Sequence, residues 1–392
     1  MNLLIHDLSD EEWGEVSDKY EGWKVIADEG NIKPCVGCFG CWVKEPGQCV
    51  IKDGYEHMGE LIHKADEVVI MSKYTYGGFS SFVKNVFDRS IGYVLPYFEI
   101  FEGEMHHKKR YPEEKNITFV FRGIDLSDAD KQKAKRYVEA VCRNLHSKIK
   151  DIVFENEKVL SEEKDFSKEE LSNISVVPGS ILFINGSLRG ERANSKRFLN
   201  RIIPDIKGDI GFINLNSYLK NPDELKNKIL SAEKVVLGMP LYVDGIPSAP
   251  LRMMEMIEKC VTLDEAFGGK KIYVVTNMGL FESKQLVNLL SMVKLWCDKC
   301  NFTYGGGLAI GAGEMMTGFM DAKNIDGGPT RNVAAGFREL ASAINESKQI
   351  EDIYADSNKF PRSLYMLIAN STWPKGIKRN GLKRKDLYRR FD

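Results

Sequence analysis

The stretch Ala232–Ala249, AEKVVLGMPLYVDGIPSA, decides the fold, because the chain carries a second version of it. Laid over Ala65–Ser81, ADEVVIMSKYTYGGFSS, with Val235 on Val68, it puts Gly245 on Gly78 and Ser248 on Ser81. Each copy is a short β-branched run followed by polar residues and glycine. An unbroken apolar run of this length reads as a strand buried on both faces that ends in a loop. Downstream, NITFVFRG (Asn116–Gly123) and KIYVVTNMG (Lys271–Gly279) match in kind. Between the runs, Phe82–Ile91 and Leu251–Cys260 have helical apolar spacing. Strand, loop, helix, strand is the βαβ alternation of a parallel sheet covered on both faces.

Working outward, the second half predicts strands at Ile181–Ile184, Gly211–Leu215, Val235–Gly238, Ile272–Thr276 and Leu308–Gly311. The first half predicts Leu3–His6, Trp23–Ala27, Val68–Met71, Ile117–Phe121 and Asp151–Phe154. Two tandem five-stranded, doubly wound sheets of flavodoxin-like plan are therefore expected, paired as a pseudo-dimer. The expected division is a first domain at 1–160, a linker at 161–178 within polar surroundings, a second domain at 179–350 and a basic extension at 351–392. The polar stretch Glu155–Asn173 has a charge pattern suited to a short surface helix.

Composition narrows the function. The chain has 392 residues, 43% hydrophobic and 28% charged, which is ordinary for globular proteins. A net charge of −1 offers no global field for nucleic acid or a membrane. No apolar run is long enough to span a bilayer. The acidic start MNLLIHDLSDEEWGE has neither the basic region nor the apolar core of a signal peptide. Half of the eight cysteines are clustered, so a reducing cytoplasm is expected.

INGSLRGERANSKRF (Ile184–Phe198) ends a predicted strand and opens a predicted helix near Ser195. A helix N-terminus offers free N–H groups and a positive dipole end to a phosphate. Ser187, Asn194 and Ser195 add side-chain donors, and Arg189 or Arg192 adds charge. The same residues also suit a plain strand–helix turn. The first half carries LLIHDLSDEEWGEV (Leu3–Val16) at the matching place, where Asp7, Asp10, Glu11 and Glu12 would repel a phosphate.

GSLRGERANS followed by GMPLYVDGIPSAPLRMMEMI resembles the NAD(P)H-dependent FMN reductases of flavodoxin-like fold. The resemblance implies FMN in the second domain. Its contacts would be Ser187, Arg189, Asn194 and Ser195 at the phosphate, Pro240, Leu241, Tyr242, Val243 and Asp244 at the ring edge, and Asn277 and Gly279 on the ring's other side. It further implies NAD(P)H as electron donor and a small-molecule or protein acceptor, in a protein that could form homo-oligomers. The cofactor carries the chemistry, so no catalytic side chain is assigned. A flavodoxin-like scaffold or sensor without flavin is the alternative from another class.

Pro34–Gly54, PCVGCFGCWVKEPGQCVIKDG, is similar to a segment of the same reductases and of iron–sulfur flavoproteins. Cys35, Cys38, Cys41 and Cys49 have the spacing C-x2-C-x2-C-x7-C, which suits a [4Fe–4S] cluster. Zinc would accept four thiolates too, and a metal-free loop of reduced, part-buried cysteines fits as well. Elsewhere, Cys297 and Cys300 are expected as one buried and one surface thiol, and Cys142 and Cys260 as core. His106-His107 in GEMHHKKRY reads as a solvated basic loop. Tyr74, Tyr76 and Phe79 are expected in the core or over the flavin. Asp88, Arg89 and Tyr93 are expected on a polar face, and Met315 and Met316 in core or lid packing.

Overall fold

The structure is a computed structural model and describes residues 1–156, 166–320 and 325–391. Residues 157–165, within the polar stretch expected to link the two halves, lie outside the described residues. The chain divides into two compact units: Met1–Leu160 with Ser363–Asp392, and Ser161–Arg362.

The first unit runs β1 Leu3–His6, α1 Asp10–Val16, β2 Lys24–Ile26, α2 Gly40–Val43, α3 Met58–Lys64, β3 Val68–Lys73, α4 Ser81–Arg89, β4 Val94–Phe101, β5 Glu104–Lys109, β6 Asn116–Gly123, α5 Asp128–Leu145 and β7 Lys148–Asn156. Five strands form a parallel sheet in the order β2-β1-β3-β6-β7. This is the flavodoxin-like order, with its reversal between β1 and β3. The core strand β3 buries Val68, Val69, Ile70 and Met71, as a strand covered on both faces must. β4 and β5 form a separate antiparallel hairpin.

The second unit runs α6 Lys168–Leu171, β8 Val177–Asn185, α7 Asn194–Ile202, β9 Asp209–Asn214, α8 Pro222–Ser231, β10 Ala232–Pro240, α9 Ser248–Leu263, β11 Lys271–Asn277, α10 Val287–Lys299, β12 Thr303–Ile310, α11 Gly313–Met320, α12 Arg331–Glu346 and β13 Ile353–Ala355. Its sheet order is β13-β12-β11-β10-β8-β9, all parallel. The expected five strands are thus six here. The extra strand β13 has only three residues, IYA, too few to show a period. A last helix, α13 Arg362–Lys378, leads the chain back into the first unit.

The repeat that predicts the fold is visible in both units as the same turn. After β3, Thr75 and Gly78 exchange both backbone hydrogen bonds, at 3.0 and 2.9 Å. After β10, Tyr242 and Gly245 do so at 3.2 and 3.0 Å. Both central residues are left-handed in each: Tyr76 and Gly77 at φ 49° and 89°, Val243 and Asp244 at 37° and 58°. Positive φ at both centres marks the tight hairpin type of turn.

Two expectations about the first half change, and one about the second. GEMHHKKRY is no solvated loop but strand β5 with its flanks. His106 is 2% exposed, and burial lowers the His107 ring to about 4 despite the Leu95 and Pro96 carbonyls. The positive charge of neighbouring Lys108 and Lys109 hides that strand in the sequence. Asp88, Arg89 and Tyr93 are buried rather than surface residues. Asp88 is salt-bridged to Lys84, one turn earlier on α4. In the second unit, Cys297 and Cys300 are both buried, because Cys300 caps α10 against the core.

Candidate functional site

In the second unit, β8, β10 and β11 lie side by side and end together, so the loops after them share one edge of the sheet. The chain order reverses between β8 and β10, where open sheets of this kind leave a crevice. All of the candidate FMN contacts fall on these three loops or at the start of α7.

The first loop is organised from within. Asn185, last residue of β8, donates to Gly190 O (3.2 Å) and Asn214 Oδ1 (2.9 Å), and its Oδ1 accepts from the Ser187 amide (3.3 Å). Ser187 is buried, and its hydroxyl accepts from the Arg189 amide at 3.4 Å. Gly190 sits at φ 57°, where a Cβ would lie 2.6 Å from Asn216 Nδ2. Only glycine fits that bend without displacing Asn216. Asn185 was invisible as a site residue because its partner lies on the next strand.

The loop delivers the start of α7 bare. Ala193 precedes the helix and gives no side-chain cap, so its first amides lack a protein acceptor of the usual kind. Ser195 is 1% exposed, and its hydroxyl has no partner among the described residues. On β11, Thr276 Oγ1 and Asn277 Nδ2 are buried and equally unpartnered among the described residues. Asn194 is not: its Oδ1 accepts from Thr317 Oγ1 of α11 at 3.2 Å. A buried hydroxyl or amide without a partner costs roughly 1–3 kcal/mol, and Ser195 at the start of α7 is such a group beside the loop after β8.

The second loop carries strain. Val243 is β-branched and holds φ 37°, a conformation such residues rarely adopt. Strain of this kind is characteristic of ligand-clamping segments. Val243 and Asp244 are buried, while Pro240, Leu241 and Tyr242 are half-buried. The Leu241 amide donates to Asn277 O at 2.9 Å, tying the second loop to the third. At the third loop, the Gly313 amide of α11 donates to Met278 O at 2.7 Å. Met316 is buried and Met315 half-buried beside it.

The matching place in the first unit is filled by its own side chains. Ser9 caps α1 and pairs reciprocally with Glu12, whose carboxylate meets Arg122 at 2.8 Å. Asp7 accepts from the Lys73 amide through both oxygens, each at 3.0 Å. Burial pushes its carboxyl up to about 6, against the opposing hydrogen bonds from Ser80 and Lys73. Helices α4 and α5 are capped by Ser80 and Ser127. By contrast α7, α9 and α10 have no side-chain N-cap. Tyr74, Tyr76 and Phe79 are buried in the first unit; Tyr74 donates to Asp130 at 2.9 Å, and Phe79 stacks on Phe87 at 5.0 Å.

The cysteine loop lies between β2 and α3. Cys38 is exposed, Cys35 half-buried, and Cys41 and Cys49 buried. Burial pushes the Cys35 thiol up to about 12 and Cys41 up as well, helped in Cys41 by the charges of the other three. Cys49 Sγ accepts from Arg89 Nε at 3.0 Å. The same guanidinium grips Asp53 with two bonds, 2.9 and 2.8 Å. Burial alone would raise the Asp53 carboxyl, but Arg89, with the Lys33 and Tyr55 amides, holds it at about 2. Among the described residues, no group of three or more His, Cys, Asp or Glu side chains is arranged to hold a metal ion. Cys49 thus has a hydrogen-bond donor of the kind that a free or a metal-bound thiolate sulfur accepts.

No family model matches the chain. A stretch of 81 residues is 32% identical to an iron–sulfur flavoprotein of Methanocaldococcus jannaschii, covering 18% of this chain and 41% of that protein. The chain thus spans less than half the length of this curated relative. Among solved structures, an NADPH-quinone reductase from P. pentosaceus is 17% identical, with TM-score 0.32 over 41% of this chain and 96% of its own. An azoreductase from Bacillus anthracis is 16% identical, with TM-score 0.31 over 43% and 99%. The Trp repressor binding protein of Bacillus subtilis is 15% identical, with TM-score 0.28 over 33% and 83%.

Proposed function

We propose that the second unit binds FMN and that the protein is a flavin-dependent oxidoreductase, passing electrons from NAD(P)H to a small-molecule or protein acceptor. One observation carries this reading: the uncapped start of α7 holds a buried Ser195 hydroxyl, without a partner among the described residues, beside an organised loop. An anion with three or more acceptor oxygens satisfies both at once. The flavoprotein named among the relatives supports the choice of guest.

The residues fit such a guest and divide its binding. The α7 amides, Ser195 and Ser187 hold the phosphate, and Arg189 adds positive charge at the loop. Pro240 to Asp244 present backbone and the Tyr242 ring to the flavin edge. Asn277 Nδ2 and Thr276 Oγ1, at the end of β11, are further buried donors without a partner among the described residues. FMN, when bound, supplies a two-electron centre that accepts hydride from a nicotinamide and returns it to an acceptor. The chain's part is to bind, orient and exclude water.

The test is acid release of FMN from the pure protein, with NAD(P)H oxidation followed alongside. Protein that holds FMN until Ser187 and Ser195 are replaced by bulky residues supports the site. Protein without flavin that binds none on titration overturns it, and leaves a scaffold.

A further inference from the structure

The chain's positive charge is concentrated in one folded place. Between Lys375 and Asp392 stand eight Lys and Arg against two Asp, a segment of +6 in a chain of −1. All eight cationic side chains are exposed, among them Lys375, Lys378, Arg379, Lys383 and Lys385. The segment is not a loose tail. Buried Arg110 donates to Leu387 O and Arg389 O, each at 2.8 Å, and to Gly92 O at 2.6 Å. Asn370 accepts from the Phe98 amide at 2.7 Å and donates to its carbonyl at 3.0 Å. Ile377 and Leu387 pack with Leu95 and Tyr97 in a core of their own.

The other face of α13 is unpartnered. Leu364, Leu367 and Ile368 are 42%, 68% and 49% exposed. They share one stripe with Ser371, Lys375 and Lys378, since steps of three and four residues stay on one helix face. So a single convex ridge is apolar along its first half and cationic along its second, on a helix already ordered before anything docks.

We propose that this ridge docks on an anionic lipid bilayer surface, with α13 lying in the plane of the headgroups. Lipid phosphates take the cationic half, while the acyl boundary takes Leu364, Leu367 and Ile368. Nucleic acid would leave the three apolar side chains wet. A protein partner would need a hollow shaped to a ridge, whereas a bilayer deforms around one. The mode is attachment to the surface only: among the described residues no helix is long and apolar enough to cross a membrane.

The test is sedimentation of the full chain with phosphatidylcholine vesicles, with and without phosphatidylglycerol, at low and high salt. We expect binding only to the anionic vesicles, weakened by salt. Replacing Lys375→Gln, Lys378→Gln and Lys385→Gln together should weaken it on the order of 100-fold, at roughly fivefold per cation. Leu367→Ser with Ile368→Ser should weaken it by roughly tenfold or more. All five side chains are exposed, so an unchanged circular dichroism spectrum is expected and checked. Equal binding to neutral vesicles, or variants that bind as the parent does, would overturn the proposal. So would retention on immobilised RNA or polyglutamate without vesicle binding.

Discussion

Replacing Ser195 with alanine should move two properties in opposite directions. In the absence of cofactor, the Ser195 hydroxyl is buried with no partner among the described residues, so its desolvation is uncompensated. Removing an unpaired buried hydroxyl is neutral or stabilising, by up to about 1 kcal/mol. On the proposed assignment the same hydroxyl would donate to a phosphate oxygen of FMN, a charge-assisted bond worth about 1.5–3 kcal/mol. Its loss weakens FMN binding roughly 10- to 150-fold. The assay is urea denaturation of the cofactor-free variant, followed by flavin-fluorescence titration with FMN and with riboflavin. Riboflavin lacks the phosphate, so its affinity should not change. A variant less stable than the parent without cofactor, or one in which FMN and riboflavin weaken equally, refutes the assignment of α7 to a phosphate.

Asp7 should give the first unit an unusual pH dependence. Its folded carboxyl sits near 6, above its ordinary value, so the native state holds the proton more tightly. That contribution is present below about pH 4 and is lost as pH rises towards 6, to a limit of roughly 3 kcal/mol. The stability difference between parent and Asp7→Asn should therefore change across that window in urea melts; a flat difference refutes it. Arg110→Met should cost about 3–5 kcal/mol and free the segment after Lys383, seen as faster amide exchange there; unchanged protection would show that the packing of Leu387 suffices. Arg89→Leu should strand the Asp53 carboxylate, whose side chain is 6% exposed, and cost about 3–5 kcal/mol in urea melts; an unchanged midpoint would refute the pairing.

What the sequence made legible was local. The apolar runs at Val68 and Val235 and the turn residues after them carry their own signal, and the structure shows strands and matching turns there. What escaped depends on residues far apart in the chain. Arg89 looks like a surface charge until Asp53, 36 residues upstream, and the cysteine loop enclose it. Asn185 is an ordinary strand end until Asn214, 29 residues downstream, fixes its side chain. His106 and its neighbour Met105 are both buried on β5, so no alternation marks the strand and the lysines after them read as surface. Within the first half, the acids of Leu3–Val16 are plain in the sequence, yet not the way Asp7 takes up the Lys73 amide.

The first unit is discontinuous, and that orders events during synthesis. The chain leaves it at Leu160 and returns at Ser363. A ribosome therefore finishes the second unit's coding stretch before the first has all of its parts. Until α13 arrives, Trp42 lacks its edge contact with Trp373, and Arg110 lacks the two carbonyls it later binds. The second unit is contiguous and can fold as it emerges, which domains generally do. Truncation before Ser363 should thus spare the second unit and leave the first as an unfinished client for chaperones, its completion waiting on the residues from Ser363 onward.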